Sequence, residues 1–321
     1  MLLIGAPAAA LVISLFAVEL PVFVEAPGRT REVLPLIDVD GAPTYGSRGR
    51  LLLTTVSLGP ANAFEAVAGW LDPNTAVLSE DEILAPGQTQ EEYDEASRSQ
   101  MDESKIAAVA VALEALTDYP REHGPGVIVQ DILAGSPADG ALHPGDLIVS
   151  IDGRSIDAVE DLRARIVDAG TRSDLELGVR PLEGGEVRTV TLRPVRIPGE
   201  NRPVIGIASV PNFPFEVTIS SGDIGGPSAG LMWAIGVTDV LTPGDLTDGQ
   251  SVAGTGTVSL DGRVGPIGGV RLKVVAAEEA GADVFLVPAS NLPEARGAGD
   301  RIRLVPVATV EDAVEALGGE A

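Results

Sequence analysis

Ser228 is the residue in the C-terminal half best suited to nucleophilic chemistry. It lies in the glycine-rich stretch "GDIGGPSAGLMWAIG", immediately before an apolar run. A serine hydroxyl is a poor nucleophile near neutral pH, so it needs a neighbouring base that accepts its proton. The identity of that base decides which chemistry the sequence can support.

Lysine is the base that the sequence offers. "GPSAG" fits the G-x-S-x-G pattern of α/β-hydrolases, in which a histidine follows the serine, but His123 and His143 both precede Ser228. Lys273 follows Ser228 by 45 residues, stands among apolar neighbours in "GGVRLKVVAAEEAG" and is one of only two lysines. Burial disfavours the charged amine, so a neutral Lys273 could accept the serine proton. We therefore predict a Ser228–Lys273 catalytic dyad.

The residues before Ser228 suit the stabilisation of an oxyanion. Pro227 is typical of the first turn of a helix, which places Ser228 at a helix N-terminus. Unpaired backbone N–H groups at that end attract negative charge. We expect the small residues Gly225 and Gly226 to complete an oxyanion hole there.

"GGPSAG" and "AGTGTVSLDGRVGPIGGVRLKVVAAEEAGADVFLVP" resemble the proteolytic domain of Lon-type serine proteases, over residues 214–317. The resemblance implies that Ser228 is the nucleophile, that Lys273 is the base and that Thr255 helps to hold the amine. ATP-dependent members of the family commonly carry an aspartate three residues before the serine. This chain has Gly225 there, and Asp223 is a candidate substitute.

The sequence between residues 125 and 196 resembles a PDZ domain of the bacterial protease type, mainly through "SPADGALHPGDLIVSIDG". The resemblance implies that an extended peptide adds as a strand beside "GVIV". The predicted peptide-binding residues are Gly126, Val127, Ile128 and Val129. A domain that only spaces or gates the catalytic part is the alternative.

The N-terminal stretch "LLIGAPAAALVISLFAV", residues 2–18, has no charged residue. We predict a transmembrane anchor at residues 1–25; a cleaved signal peptide and a buried core helix are the alternatives. Together, the anchor, the PDZ unit and the catalytic part resemble the membrane-anchored Lon-like proteases of Gram-positive bacteria, particularly actinobacteria. That resemblance implies a single-pass protein of the cell membrane with an extracytoplasmic catalytic part.

The expected fold is α+β: a Lon-type proteolytic domain, an inserted β-rich, partly open-barrel PDZ domain and the N-terminal helix. We assign residues 45–117 to the first part of the catalytic domain, 118–199 to the PDZ domain and 200–321 to the second part with the dyad. Three units in series are the alternative. The acidic residues 72–105 are predicted to form a solvated loop, and residues 101–116 a buried helix.

Composition limits the partners. The net charge of −25 would repel nucleic acid, the chain has no cysteine, and we interpret its acidic clusters as solvated surface, so no metal site or cofactor is expected. No G-x-x-x-x-G-K-[ST] loop is present, since Ile follows Lys105 and Val follows Lys273. These observations predict an ATP-independent serine endopeptidase acting on proteins or peptides. A catalytically inactive scaffold or binding protein is the alternative, and a homo-oligomeric ring is implied by the resemblance alone.

Overall fold

The computed structural model describes residues 18–181, 184–197 and 200–319. The strands in these ranges are β1 (Glu19–Pro27), β2 (Arg31–Glu32), β3 (Ile37–Asp40), β4 (Arg50–Leu53), β5 (Val56–Asn62), β6 (Ala76–Ser79), β7 (Gly124–Ile132), β8 (Leu147–Ile151), β9 (Arg154–Ser155), β10 (Leu175–Arg180), β11 (Arg188–Leu192), β12 (Ile207–Asn212), β13 (Glu216–Ile219), β14 (Ser251–Gly254), β15 (Thr257–Val258), β16 (Val264–Gly265), β17 (Val284–Pro288) and β18 (Arg303–Val307). The helices are α1 (Ala63–Leu71), α2 (Glu80–Ile83), α3 (Gln90–Leu116), α4 (Val159–Ala169), α5 (Gly230–Leu241), α6 (Val270–Glu279), α7 (Leu292–Ala295) and α8 (Val310–Ala316). Short 3-10 turns cover Leu34–Leu36, Pro227–Ala229 and Ala289–Asn291.

A five-stranded sheet of order β18-β17-β14-β4-β2 supports the dyad residues. Its strands are parallel except for β2. Side chains alternate between its two faces: Leu51 and Leu53 pack with α5, whereas Leu52 packs with α6. Both faces are therefore covered, which explains why the inner strands β4, β14 and β17 are mostly apolar, whereas the edge strand β2 is exposed.

Segments from both sides of residues 118–199 build this sheet. β4 pairs in parallel with β14, which lies about 200 residues further along the chain. Helix α3 packs against α5, where the indole N–H of Trp233 donates to the sulfur of Met101 at 3.4 Å. The predicted buried helix at 101–116 is thus present, as the C-terminal part of a longer one.

A second sheet has the order β11-β10-β8-β7-β12, with β9 beside β8, and encloses its own apolar core under α4. Most of it comes from residues 124–192, as expected for a β-rich unit. The predicted boundary at residue 200 does not coincide with the edge of this sheet, because β12 pairs antiparallel with β7.

The prediction of a solvated loop at residues 72–105 is wrong. The stretch contains β6, α2 and the first half of α3. Helix α3 begins with a capping box, in which Thr89 accepts from the Glu92 N–H and the Glu92 carboxylate accepts from the Thr89 N–H. Acidic residues on the exposed faces of these elements gave the sequence its loop-like composition.

The predicted anchor is also wrong over its last residues. Residues 1–17, which carry most of that prediction, lie outside the described residues. Glu19–Pro27 forms β1, the central strand of the three-stranded sheet β5-β1-β6. No helix in the described ranges combines the length and the apolar character that crossing a membrane requires.

We predict that residues 200–321, expressed alone, are insoluble. The fragment lacks β4 and α3, and so exposes the fully buried Trp233 and the apolar faces of β14 and α5. Size-exclusion chromatography and circular dichroism, with the full chain as control, test this expectation. A soluble, compact fragment with native helix content would show that this part does not need residues 45–117.

Candidate active site

Ser228 and Lys273 lie within hydrogen-bond distance of each other. The Lys273 Nζ is 2.6 Å from the Ser228 Oγ. Lys273 is on the second turn of α6 and is only 3% exposed, whereas Ser228 lies in the 3-10 turn that leads into α5 and is half-buried. The sheet that carries α5 and α6 on opposite faces therefore brings together two residues 45 positions apart.

Thr255, which the resemblance implies helps to hold the amine, contacts both residues of the predicted dyad. Its hydroxyl donates to the Ser228 carbonyl oxygen at 2.9 Å and accepts from the Lys273 Nζ at 3.2 Å. Because the threonine proton is committed to the carbonyl, the oxygen faces the amine as an acceptor. A neutral Lys273 can then give one N–H to Thr255 and direct its lone pair at the Ser228 hydroxyl.

The backbone of the serine turn is fixed from two sides. The Ser228 carbonyl oxygen also accepts from the Gly256 N–H at 2.8 Å, and the Gly256 carbonyl oxygen accepts from the Leu231 N–H at 3.0 Å. On the other side, the Ser104 hydroxyl of α3 donates to the Pro227 carbonyl oxygen at 3.0 Å. The nucleophile is therefore held by elements from both sequence segments, and Ser104 is a contributor that the sequence did not suggest.

Burial makes Lys273 a plausible base. Loss of water around the amine lowers the pKa of Lys273 to about 8, and the negative charge of Glu25 opposes part of that change. A substantial fraction of the amine is consequently neutral at mildly alkaline pH. Glu25 was not predicted as a site residue because it fell inside the predicted anchor.

The loop before Ser228 differs from the predicted oxyanion hole. The Gly226 N–H donates to the Ser97 carbonyl oxygen at 2.7 Å, so it is already committed to α3. A Cβ added at Gly225 would overlap the Ser97 Oγ and lie 3.1 Å from the Ser97 Cβ. Asp223 is exposed and forms no ion pair with Lys273 in the described structure. An aspartate at 225, as in the ATP-dependent relatives, would thus have to displace the Ser97 hydroxyl.

Two cavities open on either side of the dyad. The larger, of about 730 Å³, lies between the serine turn, α3 and the β1 sheet; the smaller, of about 330 Å³, lies beside β4 and β5. Ser228, Lys273 and Gly225 line both. An extended substrate crossing the dyad would have space on both sides of the reacting bond.

The predicted peptide-binding residues Gly126 to Val129 lie in β7, and two of them, Val127 and Ile128, are paired on both edges. Val127 and Ile128 pair with β8 on one side. The other edge is taken by β12, with Ser209 opposite Val129. Helix α4 packs over both β7 and β12. In the described structure the chain's own β12 therefore occupies the edge at which a peptide was expected to add.

Two family models match parts of this chain. Residues 216–317 match the family described as Lon protease (S16) C-terminal proteolytic domain, and residues 110–180 match the PDZ domain family. The chain contains a Lon-type proteolytic domain and a PDZ domain.

Individual relatives match over the proteolytic domain. The chain is 40% identical over 95 residues to the Lon protease of Phenylobacterium zucineum, covering 28% of this chain and 12% of that protein. It is 35% identical over 106 residues to Lon protease 2 of Bacillus subtilis, covering 33% of this chain and 18% of that protein. Among solved structures, the PDZ domain of the SdrC-like protein from Listeria monocytogenes matches at 26% identity and a TM-score of 0.25, covering 26% of this chain and 87% of that one. The chain thus spans less than a fifth of the curated Lon proteases named here.

We predict that Gly225→Ala destabilises the serine loop of the Lon-type domain, since the added methyl overlaps Ser97. The free energy of unfolding should fall by roughly 1–3 kcal/mol. Ser97→Gly alone should cost about 1 kcal/mol through helix propensity. The double variant should lose less than the sum, because Ser97→Gly makes room for the methyl. Urea unfolding of the four proteins checks this, and strict additivity would contradict the steric explanation.

Proposed function

We propose that the chain is an ATP-independent serine endopeptidase in which Ser228 is the nucleophile and Lys273 the general base. The observation that carries the proposal is the 2.6 Å separation of the Ser228 Oγ and the Lys273 Nζ at a buried amine. The Lon-type proteolytic domain supports the same reaction class. ATP independence rests on the lack of a phosphate-binding loop in these 321 residues.

The proposed reaction uses Ser228 and Lys273 in two stages. Neutral Lys273 accepts the Ser228 proton as the serine oxygen attacks the substrate carbonyl carbon, which forms a tetrahedral intermediate. Lys273 then returns the proton to the departing amine nitrogen, the C–N bond breaks, and an acyl-serine ester remains. A water molecule next gives a proton to Lys273, attacks the ester carbonyl and releases Ser228 with its proton restored.

Hydrolysis of casein should fall at least about a thousandfold in Ser228→Ala and in Lys273→Arg, because the first lacks the nucleophile and arginine keeps its proton. Lys105→Arg is the matched control: Lys105, the other lysine, forms a 2.9 Å ion pair with Asp102 that arginine can keep. Wild-type activity in Ser228→Ala would sink the dyad. Folded wild-type protein without any hydrolysis would favour the inactive scaffold.

In the active enzyme, kcat/KM should rise from low values to a plateau as the pH passes through about 8. The sign follows from the mechanism, because only the amine that has lost its proton can act as the base. Initial rates with an internally quenched peptide between pH 6 and 10 measure this limb. A profile that is flat from pH 6 upward would contradict a base buried in this way.

For the PDZ domain we propose gating of the substrate, in preference to open capture. β12 fills the β7 edge, and Val210 of β12 packs with Ile106 of α3, the helix that also contacts the serine turn. A peptide that adds to β7 must therefore displace β12, and displacement would alter packing on α3. β12 is separated from β13 by only three residues, and Ser228 follows on the same segment.

A disulfide between β7 and β12 would hold β12 in place and so test the gate. Two introduced cysteines can pair only with each other, because the chain has no cysteine of its own. Asp131 and Ala208 are exposed register partners on β7 and β12, so Asp131→Cys with Ala208→Cys meets the distance a disulfide needs. We expect a labelled peptide of sequence GIASVPNF to bind the reduced variant at least about tenfold more tightly than the oxidised one. Each single-cysteine variant is the control in fluorescence polarisation. Equal binding by both redox forms would contradict the gate.

Membrane attachment also remains a proposal, resting on the uncharged segment at residues 2–18. We propose a single-pass cell-membrane protein with its catalytic part outside the cytoplasm, in which protein or peptide substrates meet the active site near the membrane surface. Assembly into a homo-oligomeric ring and the Gram-positive type rest on the sequence resemblance.

A further inference from the structure

Glu25 lies at the active site on a rigid strand. β1 is the central strand of its sheet, and Glu25 is paired with Leu58 of β5 on one side and Ala76 of β6 on the other. Its half-buried side chain lines the larger cavity together with Ser228 and Lys273. Pairing on both sides therefore fixes the backbone at this position, and the Glu25 carboxylate lines the same cavity as the dyad.

The carboxylate packs over the first turn of the helix that carries the base. Gly269 is the N-cap residue of α6, with a φ of +65°. A Cβ at Gly269 would lie only 2.8 Å from the Glu25 Oε1, so the carboxylate occupies the space that a side chain would take. The Lys273 N–H donates to the Gly269 carbonyl oxygen at 3.1 Å, which places Lys273 one helical turn further on.

The start of α6 favours the negative charge of the Glu25 carboxylate, and that carboxylate has no direct hydrogen-bond or ion-pair partner among the described residues. The N-terminus of a helix attracts carboxylates. Within the described residues, the Glu25 carboxylate accepts no hydrogen bond and forms no direct ion pair. Burial raises the pKa of Glu25, the charge of Lys273 lowers it, and Glu294 adds to the rise. Burial lowers the pKa of Lys273, and the negative charge of Glu25 in turn raises that pKa in part.

We propose that Glu25 is a positioning residue for catalysis, whose charge stabilises the protonated Lys273 that forms when Ser228 gives up its proton. The inference rests on the proposed function for its catalytic meaning. In this step the proton moves from the Ser228 oxygen to the Lys273 nitrogen, and none passes to Glu25, which stays ionised while Lys273 later delivers the proton to the departing amine. Without that charge, a buried ammonium would form against the full penalty of desolvation.

Other charged or titratable groups face the dyad, and they define the controls. Asp94 and Tyr93 line the larger cavity, and the smaller one is lined by Arg29, Arg31 and Asp223. The negative charge of Glu294 raises the pKa of Glu25. Asp94 is the matched control because it is an acid of the same cavity that does not act on Lys273.

The test reads the amine directly and needs no activity. Protein labelled with ¹³C at the lysine ε-carbons gives one signal from Lys105 and one from Lys273, because the chain has two lysines. The Lys273 signal should titrate near pH 8 in the wild type, at a lower pH in Glu25→Gln, and near the wild-type pH in Glu25→Asp and Asp94→Asn. Glu25→Thr, a neutral β-former, replaces Glu25→Gln if that variant unfolds. An unchanged midpoint in the folded neutral variant, or an equal fall in Asp94→Asn, overturns the proposal.

Kinetics then separates positioning from a merely structural role. In Glu25→Gln, the plateau kcat should fall about tenfold while the rising limb of the pH profile moves to lower pH. Structural damage would lower the plateau without moving the limb, and that result contradicts the proposal. If the wild type hydrolyses nothing, the titration still decides whether Glu25 acts on Lys273, so failure of the proposed function and failure of this inference are distinguishable.

Discussion

An amine buried against a hydroxyl is the constraint on which the rest of this structure depends. Lys273 is removed from water, which favours its neutral form, yet the proposed reaction requires it to carry a proton briefly. In that proposal the Thr255 hydroxyl directs the lone pair, the apolar core under α6 keeps water away, and Glu25 on β1 stabilises the positive charge when it forms.

The two layers of helices on the central sheet place these groups with little freedom. α5 and α6 lie on opposite faces, and their starts meet near the ends of β14 and β4. The serine turn is then tied to α3 through Ser104 and Ser97. Helix α3, which comes before the PDZ domain in the chain, thus supports the Ser228 turn, which comes after that domain. The site therefore depends on both parts of the chain that flank the PDZ domain.

The sequence predicted the parts of this site that depend on residue type. Ser228 and Lys273 were predicted because a serine without a usable histidine requires another base and one lysine stands among apolar residues, whereas Thr255 was implied by the family resemblance. The structure places all three within hydrogen-bond distance of one another. The sequence could not predict Glu25, Ser97 or Ser104, whose roles arise from packing between segments far apart in the chain. Composition misled at residues 72–105, where exposed acids on helices resembled a loop although Thr89 and Glu92 carried a capping signal. Peptide addition at Gly126 to Val129 was predicted from the sequence of that strand alone. The sequence did not indicate that β12, about 80 residues further along the chain, pairs with the same strand.

The parallel pairing of β4 with β14 also bears on when the proposed dyad can assemble. Strands separated by about 200 residues must meet before the sheet closes, and such long-range contacts form late in folding. Until α6 and β17 have been added to the growing chain, Ser228 has no Lys273 beside it and the central sheet is incomplete. If the dyad acts as proposed, the order of synthesis therefore delays activity until the C-terminal part of the chain is in place.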